Sequence, residues 1–289
     1  MRVCLMVEGQ EGVAWGDWVA LAEACEAHGF EGLFRSDHYL SLSDPERGSL
    51  DAWATLAALA ARTGDLRLGT LVSPVTFRAA SVLAKNVVTV DHVSGGRVEV
   101  GLGAGWMEAE HARFGFGFPP LGERMAMLET QLEAVRRHFE TEHPRPVQPG
   151  GPPIIMGGQA RPRSAALAAR HADEYNTVGA TVEECRERRR SIADACRAAG
   201  RDPIPFSLMT GFVIGADAAA VAERAEQIAE WTGAGRLPSA WPSGTPGQVV
   251  EQLRAFERAG VERVFLQHHL HTDLEAIELL GREVIPALA

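Results

Sequence analysis

Lysine is nearly absent: Lys85 is the single lysine among the 28 basic residues of this 289-residue chain. A Schiff-base mechanism would have to use that one position, and no G-x-x-x-x-G-K run precedes it, which removes the P-loop class. Cysteine is scarce as well. Cys4, Cys25, Cys185 and Cys196 form no C-x-x-C pair and are too few for a disulfide framework, so reduced, mostly buried thiols are expected. No stretch approaches the roughly 18 apolar residues of a membrane span, and the apolar start Met1–Val7 gives way at once to Glu8, too soon for a secretory leader. The acidic balance, a formal net charge of −10, argues against nucleic acid and anionic membranes as partners. A cytoplasmic location is the resulting expectation.

What is present is alternation. Short β-rich runs at Arg2–Val7, Gly32–Ser36, Leu66–Val72, Val98–Gly101, Pro153–Met156, Glu174–Val178, Phe206–Ile214 and Arg263–Gln267 are separated by longer runs with helical periodicity. The first of these, Trp15–His28, places Trp18, Leu21, Ala22 and Cys25 on one face and closes at Gly29. Eight strand–helix units predict a parallel α/β sheet closed as a (β/α)8 TIM barrel, a single domain over residues 1–289. Two Gly- and Pro-rich stretches interrupt the pattern, Gly101–Pro120 and Thr232–Pro246, and both read as long loops. The first follows strand four directly and is the better candidate for a site; the second reads as an insertion around 232–246.

Barrel active sites lie at the C-terminal ends of strands, so residues there carry most weight. Strand two ends in Arg35-Ser36-Asp37-His38, which sets a carboxylate beside an imidazole able to exchange a proton. Strand four runs into Gly101-Leu102-Gly103-Ala104-Gly105-Trp106. The third glycine of a dinucleotide fingerprint is replaced by Trp106, so the glycines are expected to let a flat ligand lie close to the backbone, with Trp106 walling it. Strand five leads through Gly157-Gly158-Gln159 into a helix starting near Pro162, with Arg161 and Arg163 adjacent, an arrangement suited to phosphate. His268, His269 and His271 follow strand eight and raise a metal-dependent hydrolase with Asp37 and His38 as an alternative. Alternation divides those histidines between two faces, and the end of strand one offers Glu8-Gly9-Gln10 in place of an H-x-H pair, so no metal is expected.

Ser36-Asp37-His38, the segment Leu68–Arg78, the run Asp91–Arg97 and Gly101–Trp106, in this order, resemble the luciferase-like monooxygenase superfamily. More narrowly, they are similar to its branch of oxidoreductases using coenzyme F420, an 8-hydroxy-5-deazaflavin; FMN on the same scaffold is the alternative. The resemblance implies a (β/α)8 barrel with insertions, a cofactor at the strands' C-terminal ends and a homodimer acting on a small-molecule substrate. It implies a non-prolyl cis peptide at Leu71–Val72 in a bulge that props the cofactor ring, with Thr70 and Gly103 beside it. Asp37 and His38 fall where related enzymes meet the deazaflavin head and supply acid or base. Gly157, Gly158, Gln159, Asn176 and Thr177 fall where the tail phosphate is held, and Glu8 and Trp106 are left to the substrate. Two positions depart from the sugar-phosphate dehydrogenases of this branch: Trp106 replaces a catalytic glutamate and Leu42 a tryptophan. With one lysine in the chain, the lysines that grip a sugar phosphate are missing, so glucose 6-phosphate is not the expected substrate.

Overall fold

The computed structural model describes residues 1–41 and 43–289; the departure noted at Leu42 lies outside the described residues. Eight parallel strands close into a barrel: β1 Arg2–Val7, β2 Gly32–Arg35, β3 Arg67–Pro74, β4 Val98–Gly103, β5 Ile154–Gly157, β6 Glu174–Val178, β7 Phe206–Gly211 and β8 Arg263–Gln267. Each strand pairs with its sequence neighbours, and β8 closes on β1 with Arg2 opposite Arg263 and Met6 opposite Gln267. Alternation along the strands sorts the core into two. Cys4, Met6, Phe34, Ile155, Met209 and Phe265 point inward and, with Leu71, fill the barrel, while the larger apolar set packs outward against the helices. All four cysteines are buried and unpaired.

Local chemistry accounts for the helix boundaries. Asp51 caps the helix Ala52–Ala60 by accepting from the Ala54 N–H at 2.9 Å, so that helix begins two residues after Leu50. Gly95, at φ 65°, ends the helix Ala80–Ser94 in the left-handed conformation. Among the described residues, no helix is long and apolar enough to cross a membrane.

The strands at the site differ in detail from the sequence expectation. β3 continues two residues past Val72, because its register against β4 shifts between Thr70 and Ser73, and the peptide Leu71–Val72 within that shift is cis. β4 extends through the first glycines to Gly103. The expected long strand Phe206–Ile214 is broken: after β7, Val213–Ile214 leaves the barrel and pairs in parallel with Ser243–Gly244. The stretch Thr232–Pro246 therefore contributes a strand outside the barrel, and Gly101–Pro120 contains a short helix, Glu108–Phe114.

Candidate active site

A cavity of about 1140 Å³ opens where the strands end. At one side the β5 end supplies Gly157, Gly158 and Gln159, followed by Arg161, Arg163 and Ser164, with Asn176 from β6. The helix Pro162–His171 starts here and no side chain caps its first turn, so its N-terminal dipole adds to the two guanidinium charges. A β-carbon at Gly158 would come within 2.6 Å of the Tyr175 hydroxyl, which itself accepts the Ala160 N–H at 2.8 Å. Gly158 is thus required by the tyrosine that shapes the turn. Asn176 donates to the Ser207 hydroxyl at 3.0 Å, while its Oδ1 is buried with no partner.

Leu71 and Val72 form one wall of the cavity. The β4 glycines leave room for Val72, while Gly103 also lines the cavity. A β-carbon on Gly103 would lie 2.6 Å from Val72 Cγ2, and one on Gly101 would collide with the Thr70 carbonyl and approach Val72 Cγ1 to 2.9 Å. These glycines make room for the bulge, and the bulge meets the cavity. Trp106 stands 60% exposed at the mouth, edge-to-face with His38 at 5.6 Å between ring centroids.

His38 is held by a residue that the sequence reading missed. Its Nδ1 lies 2.8 Å from Oε2 of Glu110, on the short helix of the glycine-rich loop. Glu110 is fully buried, and its other oxygen accepts the backbone N–H groups of Tyr39 at 2.5 Å and Leu40 at 3.1 Å. Burial works against the imidazolium of His38. The hydrogen bond and charge of Glu110, aided by Glu8 and Asp37, outweigh it and raise His38 above its ordinary value. Burial pushes Glu110 upward in turn, but the His38 bond and two backbone donors hold it below the usual glutamate range. With Nδ1 bonded to a carboxylate, Nε2 is the nitrogen left for the cavity that His38 lines.

Asp37 does not line the cavity. Its Oδ2 accepts from Arg78 Nη1 at 2.5 Å and from the Ser73 hydroxyl at 2.6 Å, which ties the end of β2 to the bulge of β3. Arg78 also bonds Asp51 at 2.6 Å and the Tyr39 hydroxyl at 2.9 Å. Thr70 and Thr177 are likewise buried behind the wall: Thr70 donates to the Gly101 carbonyl at 3.2 Å and Thr177 accepts from Arg188 at 2.6 Å. Of the residues singled out in the sequence, the fold gathers Glu8, His38, Leu71, Val72, Gly103, Trp106, Gly157, Gly158, Gln159 and Asn176 around one space. Glu110, Arg78, Gln267 and Met209 were not singled out. A carboxylate two positions from another, as in Glu108 and Glu110, carries no pattern that tells which one turns inward.

The three histidines after β8 take separate partners. His268 Nε2 lies 3.1 Å from the Asp273 carbonyl, and burial pushes this imidazole down to about 4. His269 stacks on Trp241 at 4.9 Å, and His271 Nε2 is 3.8 Å from Asp17. Among the described residues, the acidic and histidine side chains close enough to share an ion are Glu129, Glu133 and His171, on the outer helices. The hydrolase alternative therefore finds no converging ligand set at the barrel mouth.

Residues 3–243 match the family model described as luciferase-like monooxygenase. The chain is 28% identical over 271 residues to the F420-dependent hydroxymycolic acid dehydrogenase of Mycobacterium tuberculosis, covering 88% of this chain and 72% of that one. Among solved structures, it superposes on the coenzyme F420-dependent tetrahydromethanopterin reductase of Methanopyrus kandleri with a TM-score of 0.81 at 22% identity, over 100% of both chains. It superposes on the monooxygenase RslO1 of Streptomyces bottropensis with a TM-score of 0.84 at 23% identity, again over 100% of both. At those identities the two structures establish a shared fold.

Proposed function

The chain belongs to the luciferase-like monooxygenase family, and from that premise we propose that it is an oxidoreductase moving a hydride between coenzyme F420 and a small organic substrate, with His38 exchanging the accompanying proton. The observation that carries this reading is the His38–Glu110 pair, which leaves one imidazole nitrogen for the cavity beside the Leu71–Val72 wall. A relative named as F420-dependent over most of both chains supports the choice of deazaflavin.

The residues present fit such a group. The cavity is large enough for a tricyclic head with a phosphate-bearing tail. Gly157, Gly158 and Gln159 would hold the tail phosphate, with Arg161 and Arg163 adding charge, and the orphaned Oδ1 of Asn176 would accept a tail hydroxyl. When bound, coenzyme F420 supplies an obligate two-electron centre that reacts poorly with oxygen. The chain's part is positional and protic. Glu110 fixes the His38 ring, Trp106 shields the mouth from water, and Asp37 acts from behind through Arg78 and Ser73 as a positioning residue. A homodimer in the cytoplasm belongs to the same proposal.

An FMN-dependent monooxygenase is the second reading, favoured by the family model's description as luciferase-like monooxygenase. Titration with coenzyme F420 and with FMN, followed by intrinsic tryptophan fluorescence, decides between them. Trp106 lines the cavity, so the bound cofactor is expected to quench its emission, with F420 binding at least about tenfold more tightly than FMN. Tighter FMN binding accompanied by oxygen-dependent turnover overturns the reading.

A further inference from the structure

The end of the cavity opposite the arginines is built around a carboxylate that forms no ion pair among the described residues. Glu8, at the end of β1, lines the cavity between two neutral amides: Gln267 donates to its Oε1 at 2.6 Å and Gln10 to its Oε2 at 2.8 Å. Gln10 is itself fixed, since its Oε1 accepts from Ser36 at 2.5 Å and Ser36 accepts the Gly9 N–H at 2.9 Å. Among the described residues no arginine or lysine lies within ion-pairing distance of Glu8. Arg35, packed beneath Gly9, spends its donors on Ser36, Thr55 and Leu50. Arg47 is committed to Glu11 at 2.6 Å, with its guanidinium 3.7 Å from the centre of the Trp231 ring. A carboxylate has about four lone-pair directions, and Glu8 uses two.

The neighbour across this end is His269. Its ring lies flat on Trp241, its Nε2 is buried without a partner, and burial holds the imidazole below its ordinary value despite the charges of Glu8 and Glu11. A neutral imidazole does not neutralise the Glu8 charge. Trp231 adds an orphaned donor, its buried Nε1. The cavity is therefore bipolar, with arginines and a helix N-terminus at the β5 side and, at the β1–β8 side, a carboxylate that no arginine or lysine among the described residues pairs.

We infer that Glu8 sets the substrate class: the β1–β8 end takes a small molecule that presents an O–H or N–H donor to Glu8, such as an alcohol or an ammonium group, and excludes carboxylates and phosphate esters. This deepens the proposed oxidoreductase reading and rests on it for the word substrate. An anion placed there would meet Glu8 in a partly desolvated space, where like charges cost far more than in water.

The test uses the full-length protein, with and without coenzyme F420, and three matched probes: cyclohexanol, cyclohexylammonium and cyclohexanecarboxylate. Binding is read from tryptophan fluorescence for the parent, Glu8→Gln and Glu8→Ala. The parent is expected to rank ammonium first, alcohol next and carboxylate at least about tenfold behind the alcohol. In Glu8→Gln the ammonium preference should fall about tenfold or more and the carboxylate should bind comparably to the alcohol. Equal binding of carboxylate and alcohol by the parent overturns the inference without any variant, and so does an unchanged ranking in a folded Glu8→Gln. If coenzyme F420 fails to bind while the ranking holds in the cofactor-free protein, the cofactor reading fails and the assignment to Glu8 stands.

Discussion

At the floor of the barrel Arg263 is bonded to Glu99 at 2.7 Å, Glu174 at 3.3 Å, Glu31 at 3.0 Å and the Cys4 thiol at 3.2 Å, with Phe34 and Phe265 stacked within 5.0 Å. At the opposite end, the mouth, Glu8 has only amide partners among the described residues, and Asn176 Oδ1, His269 Nε2 and Trp231 Nε1 have none. Both ends bury polar groups that cost several kcal/mol to desolvate. The floor answers that cost inside the chain and closes; one atom there, Glu174 Oε1, is left over. The mouth leaves several buried atoms unanswered, in residues that line an open volume. Unspent hydrogen-bonding capacity facing a cavity is what a ligand uses, and a saturated network is what a scaffold uses.

The strongest way to break this contrast is at the floor. Replacing Arg263 by Met leaves Glu99 and Glu174 buried without their main partner, and a stability loss of about 3–5 kcal/mol is expected in chemical denaturation. Cofactor affinity of the folded fraction should stay unchanged. A loss below about 1 kcal/mol would mean that the floor is not the scaffold argued above.

The complementary change at the mouth separates chemistry from stability. His38→Ala should reduce turnover by about 100-fold or more, the usual scale for a positioned acid–base group, while cofactor affinity falls much less. Near-normal turnover would remove His38 from the mechanism.

The same contrast explains how much could be read from the sequence. The barrel was legible because strands of four to eight residues with apolar alternation recur at regular intervals, a pattern carried by many residues at once. His38, Leu71–Val72 and Gly157–Gln159 were legible because strand ends in a barrel converge, so position alone brings them together. Asp37, Thr70 and Thr177 lie on those same strand ends and still face away from the cavity. Neighbouring residues on a strand point oppositely, and the bulge in β3 resets that alternation where it matters most. Glu110 and Arg78 were missed because their roles come from partners 72 and 41 residues away, a distance no local pattern spans.

The finest test concerns Glu110, which decides which nitrogen of His38 carries the proton. In the native pair the carboxylate can only accept, so Nδ1 keeps its hydrogen and neutral His38 offers the Nε2 lone pair to the cavity. In Glu110→Gln the amide oxygen can still take the Tyr39 and Leu40 N–H groups, which turns its NH2 toward Nδ1. Nδ1 then accepts, and the proton moves to Nε2. Loss of the charge also removes the main contributions that raise His38 above its ordinary value, so its inflexion in a pH–rate profile should shift to lower pH. The stability consequences have opposite signs. A raised histidine stabilises fully below its unfolded value of 6.5 and loses that contribution as pH rises through its folded value. A lowered glutamate stabilises above 4.5 and loses its contribution as pH falls through its folded value. The pair therefore contributes most between about pH 4.5 and 6.5, and the parent should exceed Glu110→Gln in stability there by more than it does at pH 9. Nitrogen-15 spectra of labelled histidine read the tautomer directly. Persistence of the Nδ1–H form in the variant would show that the backbone around His38, and not Glu110, sets its proton.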